Sequence, residues 1–207
     1  MYEVELKLRV DHESVREALD DAGASLDQRV RQVDTYYDAP HRDFAETDEA
    51  LRLREETRER VGESGAPAPG AATSGDVAAT GGPTDAEPTT RVTYKGPLVE
   101  AESKTREEHE TEVVDGDEAA GILAGLGFEP AAVVEKDRTF FELDGYAVSL
   151  DRVDGLGEFV EVEAETAASD AVAEVREGAT DVLRDLGLDP DDQIRTSYLG
   201  LLLDAEG

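Results

Sequence analysis

The sequence predicts an α+β fold in which eight mostly antiparallel strands build a strongly curved or closed sheet flanked by four helices. Two observations carry the prediction: eight segments alternate with period 2, and four others carry apolar residues at helical spacing. The first strand is the clearest, with Tyr2, Val4, Leu6, Leu8 and Val10 interleaved with Glu3, Glu5, Lys7 and Arg9. Val15, Ala18, Leu19 and Ala22 then predict a helix, with Asp11 before it and Gly23 after it as caps. Further strands are expected over Arg31 to Asp38, Ala50 to Arg60, Arg91 to Gly96, Ser103 to Val113, Val133 to Leu143, Tyr146 to Val153 and Glu158 to Thr166. A short helix would carry Ile122, Leu123 and Leu126, and two more run from Ser169 to Leu186 and from Asp191 to Leu203, just after Pro190. Gly155 and Gly157 read as turn residues between two strands. From Gly62 to Thr90 nearly every residue is Gly, Ala, Pro, Thr or Ser. That segment is expected to be a disordered insertion in a hairpin of one domain spanning 1–207, because loop-closure entropy grows only logarithmically with length.

Composition narrows the function. Asp and Glu number 51 against 20 Lys and Arg among 207 residues, a net charge of −31. Sequence-independent binding to nucleic acid or to an anionic membrane is therefore not expected, and a polyanion could be held only in a local pocket. The chain has no Cys, which removes disulfides, thiolate zinc sites and thiol nucleophiles together. The longest apolar run, Tyr198 to Leu203, is far short of a membrane span, and the N-terminus has no apolar signal region, so a cytoplasmic protein is expected. Acids spread through periodic segments fit work in concentrated salt, where their repulsion is screened. Under that halophilic reading the few remaining cations have a reason to be there.

Those cations are ordered. Arg52 and Arg54 share one face of their strand, Lys104 and Arg106 share another with Glu108 and Glu110, and Lys136 and Arg138 share a third, while Lys95 follows Tyr94. Glu3 and Glu5, and Glu161 and Glu163, each place two carboxylates roughly 7 Å apart on one face, with Asp151 ending the preceding strand. A solvated sheet face would pair opposite charges for a few tenths of a kcal/mol. Paired like charges repel unless an anion sits between them. If the faces look inward, they form a concave surface where cations grip phosphates and oxygen-only donors hold Mg²⁺ or Mn²⁺. His12, His41 and His109 show no metal or catalytic spacing, and no Gly-rich phosphate loop is present.

These residues resemble a known family. Glu3-x-Glu5-x-Lys7 looks like the ExExK signature of the CYTH superfamily of class IV (CyaB-type) adenylyl cyclases and thiamine triphosphatases. DTYYDAP from Asp34, ALRLRE from Ala50, TYKGP from Thr93, EKDR from Glu135, DGLGEFVEVE from Asp154 and SYLGLLL from Ser197 match in order. The resemblance implies an eight-stranded antiparallel closed barrel, the triphosphate tunnel, dependent on Mg²⁺ or Mn²⁺. Carried over by position, Glu3, Glu5, Asp151, Glu161 and Glu163 would ligate metal. Lys7, Arg52, Arg54, Lys95, Arg106, Lys136, Arg138 and Arg195 would hold the triphosphate, with Glu5, Lys7, Lys95 and Arg138 acting in catalysis.

The resemblance puts first a class IV adenylyl cyclase that converts ATP to cyclic AMP and pyrophosphate. A thiamine or inorganic triphosphatase is the alternative, and a noncatalytic polyphosphate- or nucleotide-binding module the third reading. The expected partner is a small-molecule triphosphate (ATP, thiamine triphosphate or tripolyphosphate), with a homodimer left open. Charge repulsion among the cations further predicts that Arg54→Ala stabilises the ligand-free barrel.

Overall fold

The computed structural model describes residues 2–59, 88–99 and 105–206. The low-complexity insertion from 62 to 87, Arg60 and Lys104 lie outside the described residues. The eight strands are β1 (Tyr2–Arg9), β2 (Ser25–Asp38), β3 (Ala50–Arg58), β4 (Thr89–Leu98), β5 (Arg106–Val113), β6 (Glu129–Leu143), β7 (Tyr146–Val153) and β8 (Gly157–Thr166). They close into a barrel in the order β1-β5-β4-β3-β2-β6-β7-β8, every pair antiparallel. The helices are α1 (His12–Asp21), α2 (Phe44–Thr47), α3 (Gly116–Gly125), α4 (Val172–Asp185) and α5 (Tyr198–Glu206). None is long and apolar enough to cross a membrane.

The barrel is built with its apolar face outward. Leu6 and Leu8 of β1, Val148 and Leu150 of β7 and Val160 and Val162 of β8 are buried against Val15 and Leu19 of α1 and Ala179, Val182 and Leu183 of α4. The helices thus cover the hydrophobic side of the sheet, and the period-2 pleat turns the charged side into the bore. Asp11 caps α1 by accepting from the Glu13 and Ser14 amides, and Gly23 ends that helix at φ 77°. The expected turn after β7 is present, with Gly155 at φ 74° and Gly157 at φ 102°.

β2 and β6 both start several residues before the alternation predicts. β2 begins at Ser25 and β6 at Glu129, and each extension contains or faces a register shift, between Leu26 and Gln28 and between Tyr36 and Tyr37. A bulge inserts one residue and puts the apolar pattern out of phase, so the period-2 signal stops there although the pairing continues. Thr89 and Thr90 belong to β4 and not to the insertion.

The expected helix from Asp191 is corrected: Pro190–Asp192 is a single 3₁₀ turn, Gln193 leaves it extended, and α5 starts only at Tyr198. The Ile194 amide donates to the Lys7 carbonyl at 2.7 Å, tying this strap to β1. Ser197 Oγ then accepts from the Gly200 amide at 3.0 Å. α5 covers one end of the bore, where Tyr198 packs with the inward-facing Val134, Val153 and Phe159.

Candidate active site

The bore holds a cavity of about 550 Å³. Arg52, Lys136 and Glu161 are only 7, 5 and 3 % exposed, so the ionic faces do look inward. Toward α5 the inward residues are buried. Along β8 they pass from buried Glu161 to half-buried Glu163 and exposed Glu165, and along β7 from buried Asp151 and Ser149 to exposed Ala147. The bore is therefore floored by α5 and opens toward the other end of β7 and β8.

The cation pairs do not simply repel one another. Asp34 of β2 accepts from Arg54 at 2.6 and 2.7 Å and from Arg52 at 3.3 Å. Burial opposes ionisation of Asp34, but Arg52 and Arg54 outweigh it and hold the carboxyl far below its usual range. Asp151 does the same for the second pair: it accepts from Arg138 Nε at 2.7 Å and from Arg138 Nη2, and lies 3.7 Å from Lys136 Nζ. The anions between the like charges are the protein's own carboxylates, fully buried in the case of Asp151. This overturns the expected gain in stability from Arg54→Ala.

Of the five carboxylates expected at metal, the structure gathers three. Single oxygens of Glu3, Glu5 and Glu163 lie within 4.8 Å of one another. Burial raises the Glu163 pKa well above the usual range, helped by Glu161, Glu3 and Glu5. Glu3 is raised by burial too, against the pull of Lys95. Three oxygen donors that crowd one point, with Glu3 and Glu163 resisting ionisation, suit a hard divalent cation, which would relieve their repulsion. Glu161 lies beside them but accepts from Arg138 Nη2 and faces Lys7 at 3.9 Å. Burial works against its charge, yet Arg138, Lys136 and Lys7 hold its pKa well below the usual range. Asp151, behind Arg138, is not in the three-carboxylate group.

The remaining cations divide. Lys95 sits 3.3 Å from both Glu3 oxygens and 2.7 Å from Glu108. Arg106 lines the cavity but donates to the Asp48 carbonyl at 2.7 Å and to its carboxylate at 3.0 Å. Arg195 is exposed on the strap before α5 and does not line the cavity. The side chain of His12 is buried, with Nε2 3.0 Å from the Phe159 carbonyl oxygen, while His41 and His109 are exposed.

Asp34, Gln32 and Tyr198 were missed as site residues. Gln32 donates to Glu56 at 2.8 Å, and its own Oε1 and Arg52 Nε are buried with no hydrogen-bond partner. The Tyr198 hydroxyl donates to Asp151 at 3.1 Å. Its ring lies 4.3 Å from Lys7 Nζ and 5.1 Å from Lys136 Nζ, so α5 supplies the floor on which two ammonium groups rest. Asp34 was legible as the first residue of DTYYDAP and as a polar residue in step with Gln32 and Tyr36 on β2; nothing local tied it to the arginines of β3.

A closed antiparallel barrel whose bore carries cations and carboxylates in place of an apolar core is a triphosphate tunnel. The CYTH domain profile matches residues 1–198, and the chain belongs to the CYTH domain family. It is 32% identical over 202 residues to a Methanocaldococcus jannaschii protein named "Putative adenylate cyclase", covering 97% of this chain and 98% of that one. The PH1819 protein from Pyrococcus horikoshii superposes with a TM-score of 0.80 at 32% identity, over 98% of this chain and 99% of that one. A Hippeastrum protein described as a "putative adenylyl cyclase" that reveals a dominant triphosphatase activity shares the fold, with a TM-score of 0.60 at 16% identity over 99% and 95% of the two chains.

Proposed function

We propose that this CYTH enzyme is an adenylyl cyclase of the class IV kind, converting ATP to cyclic AMP and pyrophosphate with Mg²⁺ or Mn²⁺. The observation that supports this reading is the order of charges along the bore. Lys7 and Lys136 rest on Tyr198 at the floor, Arg138 and Glu161 lie next, and Glu3, Glu5 and Glu163 stand nearer the open end. A triphosphate entering by that end puts its terminal phosphates on the cations and its α-phosphate beside the carboxylates. The bond poised for cleavage is then the one between the α- and β-phosphates, with pyrophosphate leaving from the cationic floor.

In this reading Glu3, Glu5 and Glu163 hold the metal, which would neutralise charge developing on the phosphoryl oxygens. Lys7, Lys95, Lys136 and Arg138 stabilise phosphate charge directly. Arg52 offers its buried, unpartnered Nε to a phosphate oxygen. Asp151 and Asp34 are positioning residues that hold the guanidinium groups in place. Arg106 and Arg195 are left outside the phosphate-binding set, the first by Asp48 and the second by its exposure.

Water attack on the terminal phosphorus is the alternative reaction, and the Hippeastrum neighbour shows that this fold accompanies a triphosphatase activity. Purified protein in high salt, which its acidic surface fits, is given ATP, thiamine triphosphate or tripolyphosphate with Mg²⁺ or Mn²⁺. Cyclic AMP with pyrophosphate is the expected product pair. Orthophosphate instead would transfer the protein to the triphosphatases, and binding without turnover would make it a storage or sensing module.

One pH effect follows for the phosphate site. Burial and the neighbouring Arg138 push the Lys136 pKa down from 10.5 to about 8, against the pull of Asp151. Between those two values the unfolded chain binds the proton and the ligand-free fold does not, so this group's contribution to stability rises with pH. Triphosphate favours the ammonium and reverses the preference. Tripolyphosphate binding is expected to take up a proton near pH 8 to 9 and to weaken above that range. Calorimetry in buffers of different ionisation heat measures the uptake, and a Lys136→Met variant should lose it. Equal uptake in both proteins would remove Lys136 from the phosphate site.

A further inference from the structure

The ionic bore grips a phosphate chain and by itself would hold ATP and inorganic tripolyphosphate alike. We propose that its open rim at Phe140 and Gln28 is a nucleobase subsite, where the phenyl ring stacks on a purine and the amide reads the purine edge. This rests on the triphosphate reading above and identifies the part of the molecule that makes the substrate a nucleotide.

Phe140 is the next inward residue of β6 after Lys136 and Arg138, lines the cavity and stays half-buried. The other tyrosine and phenylalanine rings lining the cavity among the described residues, Tyr36 and Tyr198, pack into the apolar cluster under the floor. Phe140 belongs to neither buried apolar cluster. A phenyl group at the mouth of a highly charged cavity does nothing for a phosphate chain, but it offers a flat face worth about 1–3 kcal/mol to a stacked base. The Arg138 guanidinium carbon lies 5.3 Å from the Phe140 ring centroid. A base stacked there brings its sugar and α-phosphate toward Arg138 and the adjacent Glu163, which the guanidinium contacts at 3.3 Å.

Gln28 pairs directly with Phe140 across β2 and β6, and the register shift between Leu26 and Gln28 immediately precedes it. Cross-strand neighbours approach to about 5 Å at Cβ, and bulges recur where a strand must re-aim a side chain at a site. A glutamine amide presents one donor and one acceptor side by side, the complement of an adenine amino group and its neighbouring ring nitrogen. Gly145 and Ala147 keep this part of the rim low. Ser149 pairs with Phe140 in the β6–β7 register, and its buried hydroxyl has no hydrogen-bond partner.

The test compares ATP, GTP and tripolyphosphate on the full chain in high salt, by calorimetric affinity and by kcat against KM. Phe140→Leu is expected to weaken ATP by about 5- to 100-fold, the stacking range, while tripolyphosphate affinity stays within about twofold. Phe140→Tyr should retain ATP affinity, and Gln28→Ala should lose the preference of ATP over GTP. Equal losses for ATP and tripolyphosphate would make Phe140 a structural residue and overturn the subsite, as would unchanged ATP affinity in both Phe140→Leu and Gln28→Ala. Wild-type protein that binds tripolyphosphate but gains nothing from the nucleoside overturns the subsite alone. Failure to bind any triphosphate overturns the reading beneath it.

Discussion

Glu5→Gln is expected to lower metal-dependent turnover by about 10²- to 10³-fold, the scale on which loss of one transition-state charge contact is felt. The same variant should leave the metal-free protein as stable as the wild type, or more so. Glu3, Glu5 and Glu163 bring their oxygens within 4.8 Å of one another, and burial already drives Glu3 and Glu163 toward the protonated form, helped at Glu163 by Glu161, Glu3 and Glu5 and at Glu3 by Glu108. The amide keeps the shape of the side chain and removes one of the three competing charges. Steady-state rates across a Mn²⁺ titration, beside thermal unfolding in chelator, measure both halves. Undiminished turnover would take Glu5 out of the metal group. A clear loss of metal-free stability would instead make it chiefly the partner of Lys7, whose ammonium stands 3.7 Å away.

Arg54→Ala carries the second large effect, and its sign is opposite to the one that like-charge repulsion predicts. Arg54 clasps Asp34 through two hydrogen bonds, both groups being buried, and Arg52 touches the same carboxylate only at 3.3 Å. Removing Arg54 leaves a buried carboxylate half-compensated, which typically costs about 3–5 kcal/mol. Urea unfolding should show that loss, and it should shrink in Arg54→Ala combined with Asp34→Ala, because the stranded charge is then gone. Wild-type stability in the single variant would contradict the clasp. Arg54 is for this reason a poor reporter of phosphate affinity. Arg52, with a buried and unpartnered Nε, is the better one.

The likeness to the CYTH family was legible in short motifs because several are strand segments whose alternation survives in sequence: ExExK in β1, ALRLRE in β3, EKDR in β6, EVE in β8. The beginnings of β2 and β6 were not legible, since the register shifts at Gln28 and Tyr37 break the period that reveals a strand. The late start of α5 was hidden for another reason. A run such as SYLGLLL reads as helix at once, but the residues before it are tied to β1 by the hydrogen bond from the Ile194 amide to the Lys7 carbonyl.

Alternation is a local property of the backbone, so the amino-acid order alone decided how many strands there are and which residues share a face. It also assembled nearly all the ionic residues of the bore. It was silent on which face is concave, because that depends on α1 and α4 covering the apolar one, and on which charges meet. Asp34 reaches Arg54 across 20 positions and Glu3 reaches Glu163 from the far end of the chain. Such meetings are fixed by strand register and barrel closure, and the same long-range packing turned an expected repulsion between arginines into a clasp around a buried carboxylate.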